Sequence, residues 1–275
     1  ENIDLTVLRG SGSADSAKKI DLGQADVGIS DAPTVLTAIS KGANLKMVAV
    51  VYDKAGNNVF FRKSANIKTP KDLVGKKIAV PPADSHRVLW PAFAAINGID
   101  PASVTLVNIK PEGKQAIVAA GEVDGSFDLY TSYAIWDKVL GKGEVGNLLW
   151  ADFGLPIYGH TYFVNNDLLQ KNPKLVERFL RATHKGWRDA KANPTASIDA
   201  MVETVPGLDR NTLLATMPQI LDLCVTERSA KHGLGWIEPE LMQKTIDITF
   251  ATNKPDKALA VNDVFTNQYN SKIKP

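Results

Sequence analysis

Gly23-Gln24-Ala25-Asp26-Val27-Gly28-Ile29-Ser30-Asp31 reads as a helix end, a tight acidic turn and a buried strand that stops at a carboxylate. Gly23 stands where a helix needs a left-handed residue to end, and the Asp31 carboxylate stands where Ala32-Pro33-Thr34 opens another helix. The same phrase recurs as Gly121-Glu122-Val123-Asp124-Gly125-Ser126-Phe127-Asp128, followed by Leu129-Tyr130-Thr131-Ser132. Loops that lead from strand to helix are where open α/β sheets hold ligands. Two copies of the phrase predict two similar α/β lobes facing one cleft.

The 275 residues suffice for two domains of ordinary size. With 44% hydrophobic and 23% charged residues the chain has the composition of a soluble globular protein. A net charge of +2 points neither to nucleic acid nor to an anionic membrane. No apolar run approaches the ~18 residues that span a bilayer. The single cysteine, Cys224, excludes an internal disulfide and CxxC-type metal sites. An export signal removed by processing leaves no trace in such a sequence.

Working outward from the repeated phrase, Ile3–Leu8 alternates like a strand, and Gly10-Ser11-Gly12-Ser13 turns into a helix through Ile20. Further strands are predicted at Val27–Ile29, Leu45–Val51, Val59–Phe61, Ile78–Val80, Val104–Val107, Asn147–Trp150 and Tyr162–Val164. Helices are predicted from Pro33 to Gly42, from His86 to Asn97 with Ser85 as cap and a kink at Pro91, and over 114–120 and 133–140. From Pro173 the chain turns nearly all helical. Leu175, Val176, Phe179, Leu180, Thr183 and Trp187 recur at helical spacing as one amphipathic face, and shorter helices follow at 194–202, 210–214 and 239–250. No linker is long enough to separate independent domains, so the lobes are expected to join by short crossings near Phe61–Ile67 and Tyr158–Val164.

Three phrases in order, Gly23 through Pro33, Ile67-Lys68-Thr69-Pro70-Lys71-Asp72-Leu73-Val74-Gly75-Lys76-Lys77-Ile78-Ala79-Val80, and Gly121 through Gly125, precede Phe163-Val164-Asn165 and a long helix from Pro173. Together they resemble the solute-binding proteins of ABC importers that take up nitrate, taurine, aliphatic sulfonates and pyrimidine precursors of thiamine. The resemblance implies a type II periplasmic-binding-protein fold, α/β, with two lobes that each carry a mixed sheet flanked by helices. Two strand crossings would form its hinge. It divides the chain into lobe I at 1–64 and 162–275 and lobe II at 65–161. Members of that group usually begin with a strand, a loop and a helix before the strand seen at Ile3–Leu8. The resemblance thus leads to an expectation of ~30 further residues before Glu1, enough for a strand and its crossover.

Pockets in such proteins are built from loops after strands, with backbone amides and hydroxyls as donors. The candidate ligand contacts of lobe I are Ser11, Ser13, Ser30, Asp31, Ala32 and Tyr52, with Tyr158 and His160 at the return crossing. Those of lobe II are Ser85, His86 and Arg87, and Asp128, Tyr130 and Thr131 in the second acidic phrase. A guanidinium fork such as that of Arg87 suits a carboxylate or sulfonate, whereas Asp31 and Asp128 suit an amine or hydroxyl, and a zwitterion or polar aromatic satisfies both. Ser13, Ser30 and Asp31 serve equally as helix caps. Trp90 reads as core, and His184 and His232 as structural or exposed. Asp53, His86 and His160 can be drawn as a triad with a serine, but no GxSxG elbow accompanies them, and no His/Asp/Glu spacing reads as a metal site.

The expected function is therefore a non-catalytic solute-binding component that closes on a small polar or anionic solute and delivers it to a membrane permease. It would act as a periplasmic monomer, or lipid-anchored outside a one-membrane bacterium, with no cofactor and no nucleic acid. The alternatives on the same scaffold are a thiamine-pyrimidine synthase, whose cysteine-rich segment is missing here, and a ligand-sensing module.

Overall fold

In a computed structural model, residues 1–8, 10–82, 84–252 and 254–275 are described. The chain order is α1 (Ser13–Asp21), β1 (Val27–Asp31), α2 (Ala32–Ser40), β2 (Leu45–Val50), β3 (Asn57–Arg62), β4 (Lys77–Val80), α3 (Ser85–Ile96) and β5 (Thr105–Asn108). It continues with α4 (Lys114–Ala119), β6 (Gly125–Leu129), α5 (Tyr133–Leu140), β7 (Val145–Leu149) and β8 (His160–Asn165). The helices α6 (Asn166–Lys171), α7 (Pro173–Ala192), α8 (Pro194–Thr204), α9 (Arg210–Cys224), α10 (Glu227–His232), α11 (Pro239–Thr249) and α12 (Val261–Val264) complete it. The chain divides into two compact units, Glu1–Lys54 with Ile157–Pro275, and Ala55–Pro156.

The first unit holds a three-stranded sheet in the order β1-β8-β2. Phe163, at the centre of β8, is fully buried on one face among Ile20, Leu36, Met47, Met242 and Phe265, and removing a side chain of that size from water contributes about 1.5–3 kcal/mol. On the other face Val48, Ala49 and Val164 pack under Val176 and Leu180 of α7. The amphipathic face predicted for that helix is thus the one it buries. The turn glycines also fall as predicted: Gly23 has φ +67° and Gly121 φ +74°, a region that costs other residues dearly.

The second unit holds a five-stranded sheet in the order β5-β4-β6-β3-β7. Strand β4 runs parallel to β5 and β6, while β3 runs antiparallel to β6 and β7. One face is aromatic. Phe93 stacks on Trp150 at 4.4 Å, and Phe127 meets Trp150 edge-on at 5.0 Å. Trp90 lies 5.3 Å from Phe127, so it belongs to the core as its sequence context predicts.

The structure differs from the sequence expectations in five places. Ile3–Leu8 forms no strand, and Leu5, Val7 and Leu8 are 64, 78 and 58% exposed. Alternation alone cannot make a strand that has no neighbour to bond. The first sheet is wholly antiparallel rather than mixed. The units divide at Lys54/Ala55 and Pro156/Ile157 rather than at 64 and 161, because β3 is an inner strand of the second sheet. Residues 51–56 and 154–159, which carry the chain between units, are turns and extended segments and not strands. Helix α9 continues to Cys224 through Pro218 instead of ending near Leu214.

Candidate functional site

In the first unit the candidate residues gather where β1 ends, β8 begins and β2 has just stopped. Asp31 closes β1 and pairs in register with His160, the first residue of β8. The Asp31 carboxylate caps α2, accepting from the Thr34 amide at 2.9 Å and the Thr34 hydroxyl at 2.8 Å. Residues opposite each other on neighbouring strands share a face, so the imidazole of His160 stands beside that carboxylate. The Tyr52 ring meets the imidazole edge-on, centroids 4.9 Å apart at 64°. The backbone locks the corner: Val51 and Tyr52 both donate to the His160 carbonyl (2.7 and 3.0 Å), and Gly159 donates to the Tyr52 carbonyl at 2.9 Å. A Cβ on Gly159 would come within 2.8 Å of the Tyr52 Cβ and 3.1 Å of the Lys54 carbonyl, so only glycine lets the chain pass so close.

Burial pushes the Tyr52 hydroxyl pKa up. It also holds the His160 imidazole below its ordinary 6.5, partly offset by the Asp31 charge.

The remaining first-unit candidates separate by exposure. Ser11 is exposed, its amide bound to Asp15 at 2.9 Å. Ser13 opens α1 but does not cap it; the cap position is Gly12. Ser30 is 1% exposed and its hydroxyl donates to the Ser13 carbonyl at 3.4 Å, and Ala32 is fully buried. Tyr158, a candidate ligand contact, is a core side chain whose hydroxyl accepts the Glu238 amide at 2.7 Å. Ser30, Ala32 and Tyr158 therefore offer a ligand no side-chain surface.

In the second unit Asp84, not Ser85, caps α3, accepting from the His86 amide at 3.0 Å. The His86 ring is buried with Nδ1 2.6 Å from Asp84 Oδ1, while Nε2 accepts the Asn58 amide at 3.3 Å. Both ring nitrogens are thus occupied, so His86 is a structural residue and the triad drawn from the sequence has no free base there. Arg87 is a clasp. Its Nε donates to the Pro81 carbonyl at 2.9 Å, and Nη2 to the Val80 carbonyl at 3.0 Å and to Asn108 Oδ1. Its Nε–Nη2 fork holds the ends of β4 and β5, not a ligand anion.

Lys114, which the sequence reading passed over, is 6% exposed and bridges Asp84 at 3.0 Å and Asp128 at 3.2 Å. Asp128 also accepts from the Leu129 amide and from Trp136 Nε1, both at 2.9 Å, and so is fully engaged within the unit. Burial alone would raise the Asp84 pKa, but the His86 and Lys114 partners outweigh it and hold the carboxyl far below the usual range. Tyr130 and Thr131 lie half-buried in the turn after β6.

Elsewhere Asp53, the third member of the drawn triad, is 2% exposed and held by Arg228 at 3.0 Å and by Thr226. Cys224 is buried, and burial with the nearby Asp53 charge pushes its thiol pKa well up. Among the described residues no group of three or more His, Cys, Asp or Glu is placed to hold a metal ion, and no helix is long and apolar enough to cross a membrane.

Residues 1–197 match the family described as NMT1/THI5 like. The chain belongs to that family. Among its relatives a riboflavin-binding protein of Chloroflexus aurantiacus is 27% identical over 86% of this chain and 68% of its own length. A 4-amino-5-hydroxymethyl-2-methylpyrimidine phosphate synthase of Legionella pneumophila is 23% identical over 76% of this chain and 66% of its own. The taurine-binding periplasmic protein of Escherichia coli is 25% identical over 80% and 75%. Among solved structures, the alkanesulfonate-binding protein of Xanthomonas axonopodis pv. citri bound to MOPS superposes with a TM-score of 0.72, at 18% identity, over 93% of this chain and 85% of that one. The NMT1/THI5-like chain thus has the periplasmic-binding-protein fold, as the order of its sequence phrases implied.

Proposed function

We propose that the protein is the solute-binding component of an ABC importer: outside the cytoplasmic membrane it holds a small organic solute and hands it to a permease without changing it. The observation that carries the reading is the corner of Asp31, Tyr52 and His160. It sits at strand ends, where α/β folds take ligands. Among the described residues neither the Tyr52 hydroxyl nor the ring nitrogens of His160 have a hydrogen-bond partner. Family membership and the riboflavin- and taurine-binding relatives support it. The candidates that are not buried are Ser11, Ser13, Tyr52 and His160 in the first unit, and Ser85, Tyr130 and Thr131 in the second.

A synthase is the second reading, favoured by the Legionella relative's name. Against it stand the committed ring of His86 and the buried, weakly acidic thiol of Cys224, which lacks the thiolate character of a reactive cysteine. Native mass spectrometry of freshly purified protein, followed by calorimetry with the solute it identifies, tests the proposal. One solute bound per chain and recovered unaltered is expected; conversion of that solute would favour the synthase, and absence of any bound solute would refute the binding role.

A further inference from the structure

Independently of any solute, we infer that the outer face of α7 is a docking site for an acidic peptide segment of a partner protein, and that Glu1 and Asn2 occupy it in the chain itself. Lys174, Arg178, Arg181, Lys185 and Arg188 follow one another at steps of four and three residues. That spacing puts them on one face of a helix, along roughly 20 Å of its length. Val176 and Leu180 face the sheet, so the basic side chains stand outward. Three of them already hold a peptide. Arg181 grips the Glu1 carboxylate with two nitrogens, Nε at 3.0 Å from both oxygens and Nη2 at 2.7 Å from one, and the Lys185 ammonium donates to it at 2.9 Å. Arg178 Nη1 donates to the carbonyls of Glu1 and Asn2 at 3.2 and 3.4 Å. The Glu1 side chain is 16% exposed there, while those of Arg181 and Lys185 stay 43 and 48% exposed. The bonds from Arg181 and Lys185 hold the Glu1 carboxyl at about 2, well below its ordinary 4.5.

What is recognised is a peptide and not a bare anion. A guanidinium fork matches a planar carboxylate, and a second guanidinium on consecutive carbonyls reads the backbone that carries it. Asn2 has φ +52°, a left-handed conformation that Asn and Gly reach more cheaply than other residues. The segment that fits is therefore Glu followed by Asn or Gly. Lys174 and Arg188, the latter also paired with Asp189 at 2.8 Å, extend the stripe past both ends of the occupied stretch, which suits a segment with further acids. Glu1 competes for the fork, so a partner's carboxylate binds only by displacing it. An anionic membrane fits less well. A helix that lies on a membrane needs its apolar face free to enter it, and that of α7 is covered by Val48, Ala49 and Val164.

The test uses the full chain at low ionic strength. Fluorescence anisotropy follows a fluorescein-labelled hexapeptide of alternating Glu and Asn and its Gln–Asn counterpart, and co-sedimentation follows phosphatidylglycerol vesicles. Glu1→Gln removes the competing charge and is expected to tighten binding of the acidic peptide about fivefold, the scale of a partly exposed charge network. In that background Arg181→Gln and Arg181→Lys should each loosen it about fivefold, since lysine keeps the charge but not the fork. Arg178→Gln should act in the same direction. Melting temperatures equal to that of Glu1→Gln exclude unfolding as the cause. No binding of the acidic peptide to Glu1→Gln overturns the inference, as does equally tight binding of the uncharged peptide, or binding that none of the arginine variants weakens. Association with the vesicles that the peptide cannot displace assigns the face to a membrane and overturns it too.

Discussion

Strands β1 and β6 begin from the same phrase, a left-handed glycine and an acidic turn, yet they end in different situations. Strand β1 is an edge strand of three, whereas β6 is the middle strand of five. Their third residues show the contrast: Ile29 is 46% exposed, while Phe127 is fully buried against Trp90 and Trp150. The acidic residue differs by one place. Asp31 is the last residue of β1, and Asp128 the last but one of β6. Because side chains alternate along a strand, that single step sends the two carboxylates to opposite faces. Asp31 shares a face with Ile29 and caps α2; Asp128 turns away from Phe127 toward Lys114 and Trp136. A repeated phrase fixes where a strand starts, and its length then decides what the terminal acid does.

The comparison breaks or sharpens by substitution, read as unfolding free energy from denaturant titration. Phe127→Ala is expected to cost about 3–5 kcal/mol, the range for an emptied aromatic core site, and Ile29→Ala less than about 1 kcal/mol. Equal costs would mean that the edge and centre positions are not distinct.

Lys114→Ala leaves Asp84 and Asp128 buried without their cation and should cost about 3 kcal/mol at pH 7. The Asp84 pKa is depressed in the folded state. Its stabilisation is therefore present above the unfolded carboxylate value and is lost as pH falls below about 4. The gap between wild type and Lys114→Ala should narrow over that descent, and a gap independent of pH would show that the ion pairs carry no stability.

Gly125→Ala drives a Cβ to 2.7 Å from the Phe60 carbonyl, part of a backbone fixed in the middle of the sheet. Gly28→Ala meets the Phe163 ring tip and the Ile20 side chain, which can move. About 1–3 kcal/mol is expected for the first and less for the second, and the reverse order would contradict the edge-and-centre contrast. Asp31→Ala should be the mildest of the charged changes, about 1 kcal/mol, the usual worth of an N-cap. A loss as large as that of Lys114→Ala would mean that Asp31 is engaged beyond α2.

Most of the architecture was readable because glycines, prolines and helical spacing act locally. Gly23 and Gly121 turn as expected, and α5 runs over the residues predicted for it. What failed depended on partners that no local pattern shows. Ile3–Leu8 has a strand's alternation but pairs with no strand among the described residues. Ser85 is a good cap, but Asp84 stands one place earlier with a better acceptor. The site was less legible for the same reason. The sequence names Arg87 as a fork for anions, while the fold brings the carbonyls of Val80 and Pro81 within its reach. It names Tyr158 as a ligand contact, while the Glu238 amide, far along the chain, holds its hydroxyl in the core.

The buried Cys224 gives the molecule a built-in chemical clock. It is the only thiol in the chain and lies in the first unit. With its pKa raised, it reacts with a thiol-directed dye only as fast as its surroundings open. Trp90, Trp136 and Trp150 belong to the second unit and Trp187 and Trp236 to the first, so tryptophan emission follows both units together. The labelling rate, recorded with and without solute, therefore reads the breathing of the first unit by itself, with no engineered probe.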